Sequence, residues 1–316
     1  MSGHEATTSD PAGDTTEAAR LVALGSFMAL GSAASFGLIT VLARLSYDGG
    51  GTPAMVNLFR LSFAVLAAGV LLALLRISLR VPRPALVNII GASVSLFAAS
   101  ICYFYAVVFI PVSLFVLIFY IYPFMVAGYT SIAGRTPLGP VRWMALAVAF
   151  GGLAIALSPS SENLDWRGIA LSLGAAVFIT SLFAFSTRAL RLVGVIPMTF
   201  WSNLGGVLLV AAVLPFLGGF TLPTSQVGWT GTLGASACYM LAVLCEFSAI
   251  RWAGPARTAL YFNLEPIVTM AAAALLLGES LLPLQYVGAL LVIAALALAA
   301  RADWARPLSR HGEHGP

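Results

Sequence analysis

Lysine is absent from this chain, and charge of either sign is scarce. Of its 316 residues, 9% are charged and 60% are apolar, whereas a soluble domain carries about 25% charged residues. So few charges cannot cover a water-facing surface, so lipid must be the solvent for much of it. The 16 basic residues are all Arg, set singly or in pairs between apolar runs. No basic stripe with interleaved aromatics occurs, so the net charge of +4 does not point to nucleic acid. Without Lys there can be no G-x-x-x-x-G-K-[ST] phosphate loop. His4, His311 and His314 lie in the polar ends, and neither H-E-x-x-H nor G-x-S-x-G occurs. Cys102, Cys238 and Cys245 stand in apolar runs, none at C-x-x-C spacing. They read as small apolar residues. The expectations are therefore no metal, no cofactor, no catalytic centre and no nucleotide-driven step.

What is present is a series of long apolar runs. A membrane-crossing helix needs about 20 mostly apolar residues. Ten runs qualify, at about 21–43, 54–75, 85–109, 112–133, 141–158, 168–187, 196–217, 226–250, 255–277 and 281–300. Pro111 and Gly254-Pro255 break two runs that hydropathy alone would merge, because proline cannot donate to the helix ladder. Residues 1–20 are polar and acidic and lack the apolar stretch of a secretory signal. They read as a disordered cytoplasmic tail, and residues 301–316 as a second one.

Arginine placement tests the count of ten. With the N-terminus inside, the inner connections and ends collect Arg20, Arg76, Arg80, Arg83, Arg135, Arg142, Arg188, Arg191, Arg251, Arg257, Arg301, Arg306 and Arg310. Only Arg44 and Arg167 fall outside, and Arg60 lies within the second span. Positive charge is retained on the cytoplasmic side, so both termini are expected there, in a multi-pass protein of the plasma (cytoplasmic) membrane.

The chain also repeats itself. A shift of 143 places Cys102 on Cys245, Ala106 on Ala249, Pro123 on Pro266, Pro140 on Pro283 and Trp143 on Tyr286. One further residue of offset aligns Pro53 with Pro197. Five spans is an odd number, so the second copy enters from the opposite side. The predicted fold is all-α, with ten transmembrane helices as two inverted five-helix repeats, 21–158 and 168–300. Many secondary transporters share this plan, with the site at the repeat interface near mid-membrane.

With those residues in view, the chain resembles the drug/metabolite transporter superfamily, as a member with two EamA-type domains covering about 21–300. The segment from Gly254 carries the likeness, through Pro266, Gly278-Glu279, Gln285 and Gly288. The first repeat has IPVSLFVLIFYIYPFMVAGYTSIAG in the matching place, and Arg60 resembles a recurrent Arg of the second helix. The first repeat departs by having Arg135-Thr136 where the second has Gly278-Glu279. The resemblance implies secondary transport of small organic molecules, export rather than uptake. Amino acids and related metabolites lead the substrate classes, and amphipathic drugs come second. A passive channel and a membrane-embedded enzyme are the alternatives, the latter without a cluster of reactive side chains to support it. Expected partners are the small-molecule substrate, membrane lipid and protons as a coupling ion, with the chain a monomer or homodimer.

An ionisable side chain at membrane depth is costly, which makes each one a candidate. Glu265 lies mid-span beside Pro266, and Thr258, Tyr261, Glu265 and Thr269 share a face at helical spacing. Glu246 lies one turn from the end of the eighth span. The 143 shift sets Tyr103 opposite Glu246 and Tyr122 opposite Glu265. Tyr120 and Asn263 complete the candidate cavity. Arg60 and Glu279 are expected to be structural, and the glycines Gly31, Gly91, Gly151-Gly152, Gly174 and Gly205-Gly206 to permit close helix contact.

Overall fold

The computed structural model describes residues 11–133, 138–158, 165–216, 219–278 and 280–304. Proline stands at the first or second position of most of the helices, because its missing N–H costs nothing in a first turn. The helices are α1 (Pro11–Asp48), α2 (Pro53–Leu74), α3 (Arg83–Phe109), α4 (Val112–Phe119), α5 (Tyr122–Ile132) and α6 (Pro140–Leu157). The second half has α7 (Trp166–Ala189), α8 (Val195–Val213), α9 (Gln226–Trp252), α10 (Pro255–Tyr261), α11 (Glu265–Leu276) and α12 (Pro283–Trp304). Where proline does not start a helix, a side chain can: Asp165 accepts from the Arg167 N–H, and Ser225 from the Gly228 N–H.

Among the described residues, ten spans are long and apolar enough to cross a membrane, with α4–α5 and α10–α11 each forming one. α2 shows why they need lipid. Leu61, Ala64, Ala68 and Leu72 are buried on one face, while Leu66, Val70 and Leu74 stand exposed on the other. A helix apolar all round has no water-facing side. One expectation fails at the N-terminus. Residues 11–20, read as disordered tail, continue α1 as helix, because Thr-Thr-Glu-Ala-Ala extends a helix already nucleated downstream.

The shift of 143 carries α3 onto α9 residue for residue, and α4, α5 and α6 onto α10, α11 and α12 within a few residues at their ends. Packing obeys the same exchange. α1 packs along α9 and α3 along α7, each pair being the image of the other. α2 packs on its own image α8, and α6 on its image α12. Of the best 18-residue stretch of each span, 61% is buried in α9 and 28% in α12. The core therefore runs along α9 and the α10–α11 span, with α12 at the rim.

Hydroxyls tie these helices to each other. The Ser32 hydroxyl donates to the Ala242 carbonyl (2.8 Å), Ser46 and Thr232 share a hydrogen bond (2.7 Å), and the Ser93 hydroxyl donates to the Ser202 carbonyl (3.1 Å). At one end, the α1–α2 turn is laced to the segment before α9. The Thr224 N–H donates to the Gly49 carbonyl (2.9 Å), and the Thr221 hydroxyl to the Gly50 carbonyl (2.8 Å).

Close approach needs glycine at the α6–α12 crossing. A Cβ on Gly152 would lie 2.8 Å from the Gly288 carbonyl oxygen. Gly31 and Gly151, also expected at contacts, have nothing within 4 Å of such a Cβ. Sequence cannot say which side of a helix meets a neighbour.

Candidate functional site

Two spans are broken at mid-depth, and both breaks precede a proline. α4 ends at Phe119 and α5 resumes at Tyr122 before Pro123; α10 ends at Tyr261, and a 3-10 turn, Phe262–Leu264, leads into α11 before Pro266. Proline has no N–H to donate to the carbonyl four residues back. For Pro266 that carbonyl belongs to Phe262. It accepts instead from the Glu265 N–H, with the Tyr120 hydroxyl 3.3 Å away. The same hydroxyl lies 3.0 Å from Glu265 Oε2 and donates to it. The break in one repeat thus meets the break in the other through Tyr120 and Glu265.

Thr258 and Tyr261 precede the 3-10 turn and Glu265 and Thr269 follow it; such a turn has three residues per turn rather than 3.6. Thr258 is buried and donates to its own helix at the Gly254 carbonyl; Tyr261 is buried. Glu265 and Thr269 are half-buried. The Thr269 hydroxyl is 3.1 Å from both the Gly37 and the Glu265 carbonyls, joining α11 to α1. Gly37 makes that approach possible, since a Cβ there would lie 2.7 Å from the Glu265 carbonyl oxygen.

Glu246 is buried at 6% exposure and forms no ion pair with Arg251. No hydrogen bond to its carboxyl occurs among the described residues. It lies within electrostatic range of Glu265, Tyr122 and Tyr239. Asn263 donates to the Leu260 carbonyl (2.8 Å), but its buried Oδ1 has no partner. Buried polar atoms are normally paired, so an acceptor without a partner among the described residues is a feature to be explained. Tyr103 is 38% exposed and packs edge-on against Phe115 at 4.8 Å. Tyr122 is buried and lies beside Phe119, Tyr120 and Phe183. Glu279 lies outside the described residues, as do Arg135 and Thr136.

Arg60 has a structural setting and also faces the site. Its Nε donates to Asn57 Oδ1 (2.9 Å), and its guanidinium lies 4.9 Å from the centre of the Tyr239 ring. Glu265 is within its electrostatic range. The Tyr239 hydroxyl donates in turn to Asn203 Oδ1 (2.9 Å). Sequence reading missed Tyr239 and Asn203, although both left a signal. Tyr239 stands two helical turns before Glu246 on the same face, and Asn203 is an amide inside an apolar span. Phe36, Phe183 and Phe262 left none. They form a line of rings, Tyr239–Phe36–Phe262–Phe183–Tyr122, with centroids about 6 Å apart. Tyr239→Phe keeps the ring under Arg60 and strands Asn203 Oδ1. It should lower stability in detergent by about 0.6 kcal/mol and at most about 1.7 kcal/mol, as interhelical hydrogen bonds in membranes do. Denaturant titration against the parent protein measures this.

The site therefore sets carboxyl and amide acceptors and one guanidinium among aromatic rings, where two broken helices meet. This defines the chain as a ten-span inverted-repeat membrane protein of the transporter type, with its polar groups at the repeat interface. The EamA-like transporter family model matches residues 23–158 and again 166–301, two matches offset by the same 143 residues. The chain belongs to that family. A solved structure described only as "Crystal structure of protein" superposes with a TM-score of 0.73, covering 89% of this chain and 98% of its own, at 16% identity. That likeness is one of fold. No curated protein matches the chain.

Proposed function

We propose that this protein is a secondary transporter that exports small amine-bearing metabolites, amino acids foremost, by alternating access between its repeats. The observation that carries this reading is the Tyr120–Glu265 contact across the two broken helices. Around it, the Glu246 carboxyl, Asn263 Oδ1 and the second Glu265 oxygen have no hydrogen-bond donor among the described residues. An ammonium group supplies three donors and a compensating charge. Arg60, within range of Glu265, offers a partner for the carboxylate of a zwitterion. The aromatic line favours a second reading in which the solute is an amphipathic cation.

The arginine-rich end is cytoplasmic in this reading, in the plasma membrane, with both termini inside. The hydrogen-bonded clasp at residues 49–52 and 221–224 then lies on the outer side, which supports an outwardly closed state. Glu265 and Glu246 are the groups through which protons would couple to the solute.

A thermal-unfolding screen of the purified protein in neutral detergent tests the solute class. Amino acids or organic amines should raise the midpoint, since a ligand at 100 times its dissociation constant adds about 2.7 kcal/mol. Sugars and neutral nucleosides should not. A response confined to sugars would contradict the amine assignment.

A further inference from the structure

A second polar concavity lies away from Glu265, at the arginine-rich end. A cavity of about 250 Å³ opens there between α1, α7, α9 and α10. Arg191, Arg251 and Arg257 line it, together with Thr187 and Trp252, and no acidic side chain among the described residues does. These arginines come from three places: the turn after α7, the last turn of α9 and the first turn of α10. Gly254, at φ +87°, makes the sharp corner that brings the last two together. Arg257 and Glu265 lie eight residues apart on one broken span, about 12 Å at 1.5 Å per residue.

Topology alone does not account for this arrangement. Retention of positive charge asks only that arginines stay on one side; it does not require three to converge on one hollow. The repeat offers an internal comparison. The 143 shift carries Arg191, Arg251, Arg257 and Thr187 onto Asp48, Val108, Leu114 and Arg44. There Arg44 is neutralised by Asp48 at 3.0 Å, and two positions are apolar. The cationic cavity is thus a property of one end and not of the fold plan.

We propose that this cavity binds the carboxylate or phosphate group of an anionic solute or lipid. Guanidinium groups present paired N–H donors matched to those two groups. A concavity lined by one sign of charge concentrates ions of the other sign at its mouth. Its volume falls below the roughly 300–1,000 Å³ of sites that enclose a whole drug-sized ligand, so it takes the charged head alone. The proposal extends the transport reading by giving the solute an anionic group that docks at the cytoplasmic end, but binding there does not depend on flux.

The experiment is a titration of the full-length protein in neutral maltoside detergent with inorganic phosphate. Ionic strength is held constant with sodium chloride, and both calorimetry and the unfolding midpoint are read. The expected result is saturable binding that weakens by about tenfold or more in R191Q/R251Q, with R251Q alone intermediate. R76Q/R80Q, which removes two arginines outside the cavity, should bind like the parent. Non-saturating binding, or R191Q/R251Q binding as the parent does, overturns the proposal. The titration is repeated in nanodiscs of phosphatidylcholine with and without phosphatidylglycerol. Phosphate binding suppressed by phosphatidylglycerol supports a lipid headgroup as occupant, and binding unaffected by it supports a soluble solute. Phosphate binding without any solute flux would leave the site standing and remove the transporter reading; flux without phosphate binding would do the reverse.

Discussion

Glu265→Gln will weaken binding of an amine-bearing solute by about tenfold or more while leaving the unfolding midpoint of the empty protein nearly unchanged. The amide keeps the volume of the carboxyl, and its oxygen still accepts from Tyr120, so the link between the two broken helices survives. What disappears is the negative charge. A hydrogen bond to a charged group contributes about 1.5–3 kcal/mol, and 1.4 kcal/mol is tenfold in affinity. Tyr120→Phe should show the opposite pattern, losing stability by about 0.6 kcal/mol while retaining the charge that meets the solute. Calorimetric titration and unfolding of both variants separate the two effects. Equal binding by Glu265→Gln and the parent would move the site elsewhere.

Gly288→Leu should abolish folding or nearly so. Even a Cβ at Gly288 would collide with the Ala156 nitrogen and lie 2.5 Å from the Gly152 carbonyl oxygen, both backbone atoms that cannot move aside. Overpacking usually costs about 1–3 kcal/mol, and a collision with backbone belongs at the upper end or beyond. At Gly151, one residue from the same crossing, a Cβ would meet nothing within 4 Å, so Gly151→Leu should be tolerated within about 0.5 kcal/mol. Monodispersity on size exclusion and the unfolding midpoint distinguish the pair. A stable Gly288→Leu protein would contradict the described α6–α12 packing.

The contrast between those two glycines also shows what the sequence could and could not reveal. Spans were legible because their constraint is one-dimensional, about 20 apolar residues whatever their neighbours. The repeat was legible because prolines recur at nearly one offset; the mid-span breaks beside Pro123 and Pro266 were not read from it. Glu265 stood out because its cost in lipid is independent of orientation. Its partner did not. Tyr120 was a candidate too, but its hydrogen bond to Glu265 depends on how the two helices are rotated, which a sequence does not give. Phe36 and Phe183 were invisible for a related reason. Only helix rotation tells a phenylalanine beside a polar site from one facing lipid. The helical start of α1 at Pro11 was missed because composition alone does not show that a polar segment can extend a helix already formed.

Counterflow in proteoliposomes tests the central claim most directly. Vesicles containing the purified protein are loaded with an unlabelled amino acid identified in the binding screen and diluted into labelled solute. The account predicts transient accumulation of label above equilibrium, driven by the exiting solute, and its loss in Glu265→Gln. Uptake without any stimulation by internal solute would identify a passive conduit and contradict alternating access between the repeats.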